Sequence, residues 1–220
     1  MAGDWREDLD RAYAEALAGG DPGAGELGLL LDLRRELYRR NYRQGLEILR
    51  RLPEHSGELG EALADLERGE YRPWLERGPR WLRAEAWVLK AVEAARAGRA
   101  QEAERALEQA LELFPRHPRA MVNRANLWLE AGEVDRPIAE YRRALEIDPD
   151  LADAHHNLAV AYRRKGDIDR MVRHLKRSQR LRFFPPGEGG RRGGRPPLYL
   201  SLWFWLLLAA AAYALIRARG

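Results

Sequence analysis

Apolar residues in the middle of this 220-residue chain fall into helix-length runs that repeat. Three segments, 84–117, 118–151 and 152–185, align without gaps at a period of 34. Each opens with a run whose apolar positions return at three- and four-residue spacing: "AEAWVLKAVEAARAG", "PRAMVNRANLWLEAG" and "ADAHHNLAVAYRRKG". That is the period of an amphipathic helix. Gly98, Gly132 and Gly166 close these runs, where helix-stopping glycines belong. A second helical run follows each, and Pro115 and Pro149 close the first two units, where proline cannot continue a helix. Small positions recur at the same period (Ala86, Ala120, Ala154; Ala110, Ala144, Ser178), and so do large ones (Leu107, Tyr141, Leu175). The pattern predicts stacked helical hairpins: small residues let paired helices approach, and large ones fill the space between neighbours.

Residues 1–83 predict helices of less regular pattern. Trp5, Leu9, Tyr13 and Leu17 recur every fourth residue and mark a short amphipathic helix. Gly19 to Gly28, "GGDPGAGELG", reads as a loop. Leu29 to Leu52 supplies a long helix or a hairpin, with Tyr42 and Gly45 placed as in a decayed repeat, and Glu58 to Glu67 a further helix. Pro79 stands just before the first clear unit, a favoured place for proline at a helix start.

The 34-residue units resemble the tetratricopeptide repeat family. The resemblance rests on Trp87 at the large aromatic position, Asn157-Leu158 and Tyr162 in the third unit, Gly166-Asp167, and "ALEIDPD" from Ala144 to Asp150. It covers about 100 residues and implies an all-α solenoid of helix-turn-helix hairpins. Departures are Pro137 and Met171 at the small position of the second helix, and Phe183 in place of a closing proline. In the resembled family the first helices line a concave groove that holds extended peptides or partner helices. The matching positions here include Val88 and Val92 in unit one, Arg119, Asn123 and Asn126 in unit two, and His156, Asn157, Val160, Arg163 and Arg164 in unit three. An asparagine amide both donates and accepts, so Asn123 and Asn157, 34 apart, could grip a peptide backbone. Arg119, Arg163 and Arg164 could meet an acidic group bidentately. The set resembles the carboxylate clamp of chaperone-binding members only in part, because Val88 and Val92 stand where that clamp has lysine and asparagine.

Beyond the repeats the hydropathy changes. Residues 186–197 form a Gly/Pro/Arg linker, and 198–216, "LYLSLWFWLLLAAAAYALI", carry no charge. As a helix that stretch spans roughly 28 Å, near a bilayer's hydrocarbon thickness. Leu198 and Ile216 bound the expected span, with Trp203 and Trp205 toward one end and Tyr213 toward the other. A four-residue tail, 217–220, follows. The net charge of +4 conceals an asymmetry: within 152–197 twelve basic residues face four acidic ones, next to the apolar stretch. Arg191, Arg192 and Arg195 are placed to meet lipid headgroups, and the positive-inside tendency puts the repeats in the cytoplasm. Of the 38 basic residues only Lys90, Lys165 and Lys176 are lysine, which with abundant Ala, Gly and Leu suggests a bacterial source and thus the inner membrane. The N-terminal residues have no apolar core of a signal peptide.

Candidate chemistry is sparse. With no cysteine, disulfides, thiolate metal sites and cysteine nucleophiles are excluded. His155 and His156 are adjacent, so on a helix they point about 100° apart and share an ion poorly. There is no phosphate loop, no Gly-x-Ser-x-Gly and no His-Glu-x-x-His. The expectation is a tail-anchored adaptor with no catalytic residues, metal or cofactor, binding neither nucleic acid nor a small-molecule substrate and holding a protein partner in its groove. The alternative is a structural subunit of an inner-membrane complex, packing through its span and terminal repeat. Ala209 to Ala212 and Ala214 offer the span a small-residue face for that.

Overall fold

The computed structural model describes residues 8–183. All regular structure in this range is helical. Four helices come first: α1 (Leu9–Gly19), α2 (Ala24–Tyr38), α3 (Tyr42–Leu49) and α4 (Ser56–Arg68). Three hairpins follow: α5 (Arg80–Arg96) with α6 (Ala100–Leu113), α7 (Pro118–Glu130) with α8 (Asp135–Ile147), and α9 (Ala152–Lys165) with α10 (Ile168–Phe183). Short 3-10 turns at Pro53–His55 and Arg72–Trp74 bracket α4.

Local chemistry sets the helix ends. The Asp8 carboxylate accepts the Arg11 amide at 3.0 Å and starts α1. The Asn41 side chain accepts from Gln44 N and starts α3. His117 starts α7, its Nδ1 accepting the Ala120 amide at 3.3 Å, and Pro118 occupies the first turn, where its missing N–H costs nothing. Pro137 likewise falls in the first turn of α8. The repeated glycines Gly98, Gly132 and Gly166 have φ of +72°, +91° and +82°. Only glycine takes that left-handed turn cheaply, so the second helix of each hairpin can fold back on the first.

Small buried residues lie where paired helices approach. Ala91, Ala106 and Ala110 are buried with Val88 and Leu107, and Ala125, Ala144, Ala154 and Ala161 with Tyr141 and Leu158. In the N-terminal part, a Cβ on Gly45 would stand 2.5 Å from Leu63 Cδ2, so any larger residue there would displace the Leu63 side chain between α3 and α4.

Two readings of residues 1–83 change. The expected loop from Gly19 to Gly28 is short, because α2 already starts at Ala24. Leu27, Leu30 and Leu33 form a buried stripe that holds the helix through Gly25 and Gly28. The Tyr13 ring packs beside Gly28, 3.4 Å from where a Cβ would stand. In α1 the inward residues are Leu9, Ala12 and Ala16, while Leu17 is exposed and Trp5 lies outside the described residues. The stretch from Leu29 to Leu52 is a hairpin, α2 turning into α3.

The N-terminal helices are continuous with the first hairpin. Trp81, Leu82, Ala86 and Leu89 of α5 share one core with Leu30, Leu37, Leu63 and Trp74. Trp74, fully buried, donates its indole N–H to Asp65 at 2.9 Å, which ties the turn after α4 back onto that helix. The expected span and its flanks, including Leu198, Trp203, Trp205, Tyr213, Ile216, Arg191, Arg192 and Arg195, lie outside the described residues. Among the described residues no helix is long and apolar enough to cross a membrane.

Candidate functional site

The first helices of the three hairpins, α5, α7 and α9, carry the positions singled out for a groove, and burial along them is graded. In α5, Glu85 and Val88 are fully buried and Val92 is half-buried. In α7, Arg119 is 12% exposed, Val122 is buried, and Asn123 and Asn126 are half-buried. In α9, His156, Asn157 and Val160 are half-buried, and Arg163 and Arg164 are exposed. The open part of the surface therefore runs along α7 and α9.

Val88 is a correction. It packs with Ala91, Ala106 and Leu107 in the core and presents nothing to a partner. Arg119 is engaged too. Its guanidinium pairs with the Glu85 carboxylate, which has no solvent exposure. His117, also without exposure, sits with Nε2 3.2 Å from the other Glu85 oxygen, at an angle too poor for a full hydrogen bond. Burial holds the His117 imidazole below its ordinary pKa, so it is neutral. Its Nδ1 accepts the Ala120 amide, which leaves the proton on Nε2, facing Glu85.

The end of α2 seals this cluster. The Tyr38 ring lies 4.0 Å from the His117 ring, and its hydroxyl donates to the Trp81 carbonyl at 3.3 Å. Arg34 stacks over Phe114, its guanidinium 4.9 Å from the ring centre. Just past the helix, Arg39 grips Asp148 through two bonds, Nη2 to Oδ1 at 2.6 Å and Nε to Oδ2 at 2.9 Å. Asp148 ends α8, so residues 109 apart in sequence join the N-terminal helices to the turn between the second and third hairpins. This side of the repeats is occupied by the chain itself.

A second polar cluster spans the second and third hairpins. Asn126 Oδ1 accepts two bonds, from the Tyr141 hydroxyl at 2.6 Å and from Asn157 Nδ2 at 2.8 Å. Burial, and then the charge of Glu130, raise the Tyr141 pKa far above its ordinary value, so the phenol stays a donor. Asn157 thus bonds to Asn126 across the hairpins. Asn123 makes no side-chain hydrogen bond among the described residues, and the Asn126 NH2 and Asn157 carbonyl are also unused. Three half-buried amides with spare donors and acceptors are left along α7 and α9, beside Val160. Arg163 adds an exposed cation with no ion pair among the described residues, whereas Arg164 donates to the Leu129 carbonyl at the end of α7.

The paired histidines resolve differently. His155 is buried, with Nε2 donating to the Pro149 carbonyl at 3.0 Å and Nδ1 3.0 Å from Nδ1 of His174. The His155 Nε2 proton makes its Nδ1 the acceptor, so the His174 proton sits on Nδ1. His174 also stacks on Tyr162, 5.6 Å between ring centres. His156 takes no part. Among the described residues no group of three or more His, Asp or Glu could hold a metal ion.

The Glu85–His117–Arg119 cluster and the Arg39–Asp148 pair were not foreseen from sequence. A glutamate in the apolar run "AEAWVL" is a signal for the first, since a buried carboxylate needs a cation. No local pattern announces the second.

A fixed-period stack of helical hairpins, each turned by a left-handed glycine and the first two closed by an extended residue, defines a helical-repeat solenoid. Two tetratricopeptide-repeat family models match the chain, one over residues 88–152 and one over 140–173. Together they identify residues 88–173 as tetratricopeptide repeats. Solved structures with similar shape include one titled "Crystal structure of MamA", 21% identical with a TM-score of 0.42, covering 80% of this chain and 90% of its own. MamA residues 41 to the end from Desulfovibrio magneticus RS-1 is 18% identical at 0.42, covering 83% and 98%. TTC0263, a thermophilic repeat protein of Thermus thermophilus, is 21% identical at 0.40, covering 94% and 99%. Comparison with curated proteins finds no match.

Proposed function

We propose that this protein is a membrane-tethered adaptor holding an extended peptide or a helix of a protein partner along α7 and α9. The observation that carries the reading is the row of half-buried amides on Asn123, Asn126 and Asn157, whose spare donors and acceptors fit a peptide backbone. Water does not fully serve such groups in a half-buried setting, and a bound backbone does. Val160 supplies apolar contact, and Arg163 favours an acidic residue in the partner. The tether is the uncharged stretch 198–216, which places the repeats at the cytoplasmic face of a bacterial inner membrane. The role requires no catalysis, cofactor or metal.

The test separates binding from folding. Asn123 supports no other side chain, so Asn123→Ala should leave the melting temperature unchanged while weakening recovery of a defined partner by the full-length chain. Equal recovery by wild type and variant would move the binding surface elsewhere.

A further inference from the structure

Helix α10 ends the described fold with a charge pattern that the adaptor reading does not use. Its residues Arg170, Arg173, Lys176, Arg177, Arg180 and Arg182 are opposed within the helix by one acid, Asp169. Some of these cations are engaged: Arg170 with Asp167, Arg177 with Asp150 at 2.8 Å, and Arg182 with Asp153 at 3.2 Å. Arg173, Lys176 and Arg180 are exposed and make no ion pair among the described residues. Their spacing of three and four residues puts them on one face. The opposite face is the packed one, with Met171, His174, Ser178 and Leu181 turned inward toward α9. Phe183 continues the outer face and is 78% exposed.

We infer that this face is a docking surface for an anionic bilayer, with Arg173, Lys176 and Arg180 on headgroups and Phe183 entering the interface. The inference rests on the proposed tether. Residues 184–197 alone separate α10 from the uncharged stretch, and even fully extended they reach at most about 50 Å. Electrostatic attraction to a charged surface decays over about 8 Å at physiological salt, and a tether this short raises the local concentration of the patch at the surface so that the attraction can act on each encounter. Juxtamembrane cations are drawn to anionic headgroups, and an exposed aromatic ring beside them adds apolar contact at headgroup depth. A nucleic-acid groove or an acidic protein would suit the three charges alone but gives Phe183 no place. Docking would fix the repeat stack against the membrane and set which way the α7–α9 surface faces.

Each basic contact near an anionic surface shifts the balance of docked and free forms roughly five-fold. Loss of all three should lower docking on the order of a hundred-fold. The chain has no cysteine, so Gln179→Cys, on the flank of the same face, gives a unique site for an environment-sensitive fluorophore. The labelled full-length protein is incorporated into vesicles of neutral phosphatidylcholine, alone or with a third phosphatidylglycerol. The expected result is a blue-shifted probe in anionic vesicles only, reversed by 0.5 M salt and by combined Arg173→Gln, Lys176→Gln and Arg180→Gln. Circular dichroism checks the fold of that variant, and the comparison of lipids on the otherwise unaltered chain does not depend on it. A protein that floats with both vesicle types but shows the same spectrum in each overturns the docking surface and leaves the tether standing. A protein that floats with neither overturns the tether and the inference with it. Tighter saturation of the probe by an RNA or DNA oligonucleotide than by anionic lipid would also overturn it.

Discussion

Arg119 was expected from the family resemblance to face a partner, yet it is spent on Glu85. Replacing it with alanine would leave a fully buried carboxylate with only His117 beside it. Breaking a buried pair by removing one partner costs about 3–5 kcal/mol, because the remaining charge is stranded. Here His117 can soften the loss by taking a proton, which brings the expected cost down to about 2–4 kcal/mol. For a fold of this size, each kcal/mol moves the melting temperature by about 2–4 °C. Arg119→Ala should therefore melt roughly 5–15 °C below wild type in a circular dichroism scan. Glu85→Gln removes the charge but keeps the shape, and Arg119 at 12% exposure can still reach water, so that variant should lose less. The double variant should be no worse than Arg119→Ala alone, giving a coupling energy of about 1–3 kcal/mol in the cycle. A loss below about 0.5 kcal/mol for Arg119→Ala, the value for an ordinary surface site, would refute the buried pair and restore Arg119 to the open surface.

Other consequences follow from the same geometry. Burial, then repulsion from His155, Arg173 and Arg142, depress His174 from its ordinary 6.5 to about 4. Its contribution to stability is full above 6.5 and is lost as the pH falls through 4; discounted for partial solvation it is about 1–2 kcal/mol. The urea midpoint of wild type should accordingly fall further between pH 7 and pH 4 than that of His174→Phe. Arg39→Ala removes the two-point grip on Asp148 and should cost about 1–3 kcal/mol. Amide exchange should accelerate in α1 to α3 more than in α8 to α10; uniform exchange would contradict the clasp. Asn126→Ala strips the acceptor shared by Tyr141 and Asn157 and should cost about 1–3 kcal/mol in urea unfolding, where Asn123→Ala costs about nothing.

The repeat was legible because its physics is local. A glycine at each hairpin turn, alanines at helix contacts and a proline after the second helix all act within one 34-residue unit, and each leaves a mark on sequence. The N-terminal helices were less legible, since Gly25 and Gly28 resemble loop residues until Leu27, Leu30 and Leu33 are seen to bury a stripe. The surface was legible only in part. Repeat register assigns a residue to the inner face of its own hairpin but cannot tell what else lies on that face. Val88 and Arg119 share the register of a groove, and packing decides their fate: Val88 meets α6, and Arg119 meets a buried acid closed over by Tyr38 of α2. Asn123 and Asn157 share a register as well, but Asn157 reaches Asn126 because the side chains bond along the diagonal between hairpins.

The most direct test of the partner-binding surface is photocrosslinking from within it. A photoreactive residue is placed at Asn123, at Val160, or at Glu108 on α6, in the full-length chain in intact cells. The account predicts that Asn123 and Val160 capture the same protein and that Glu108 does not. Capture of that protein from Glu108 alone, or from none of the three, would contradict it.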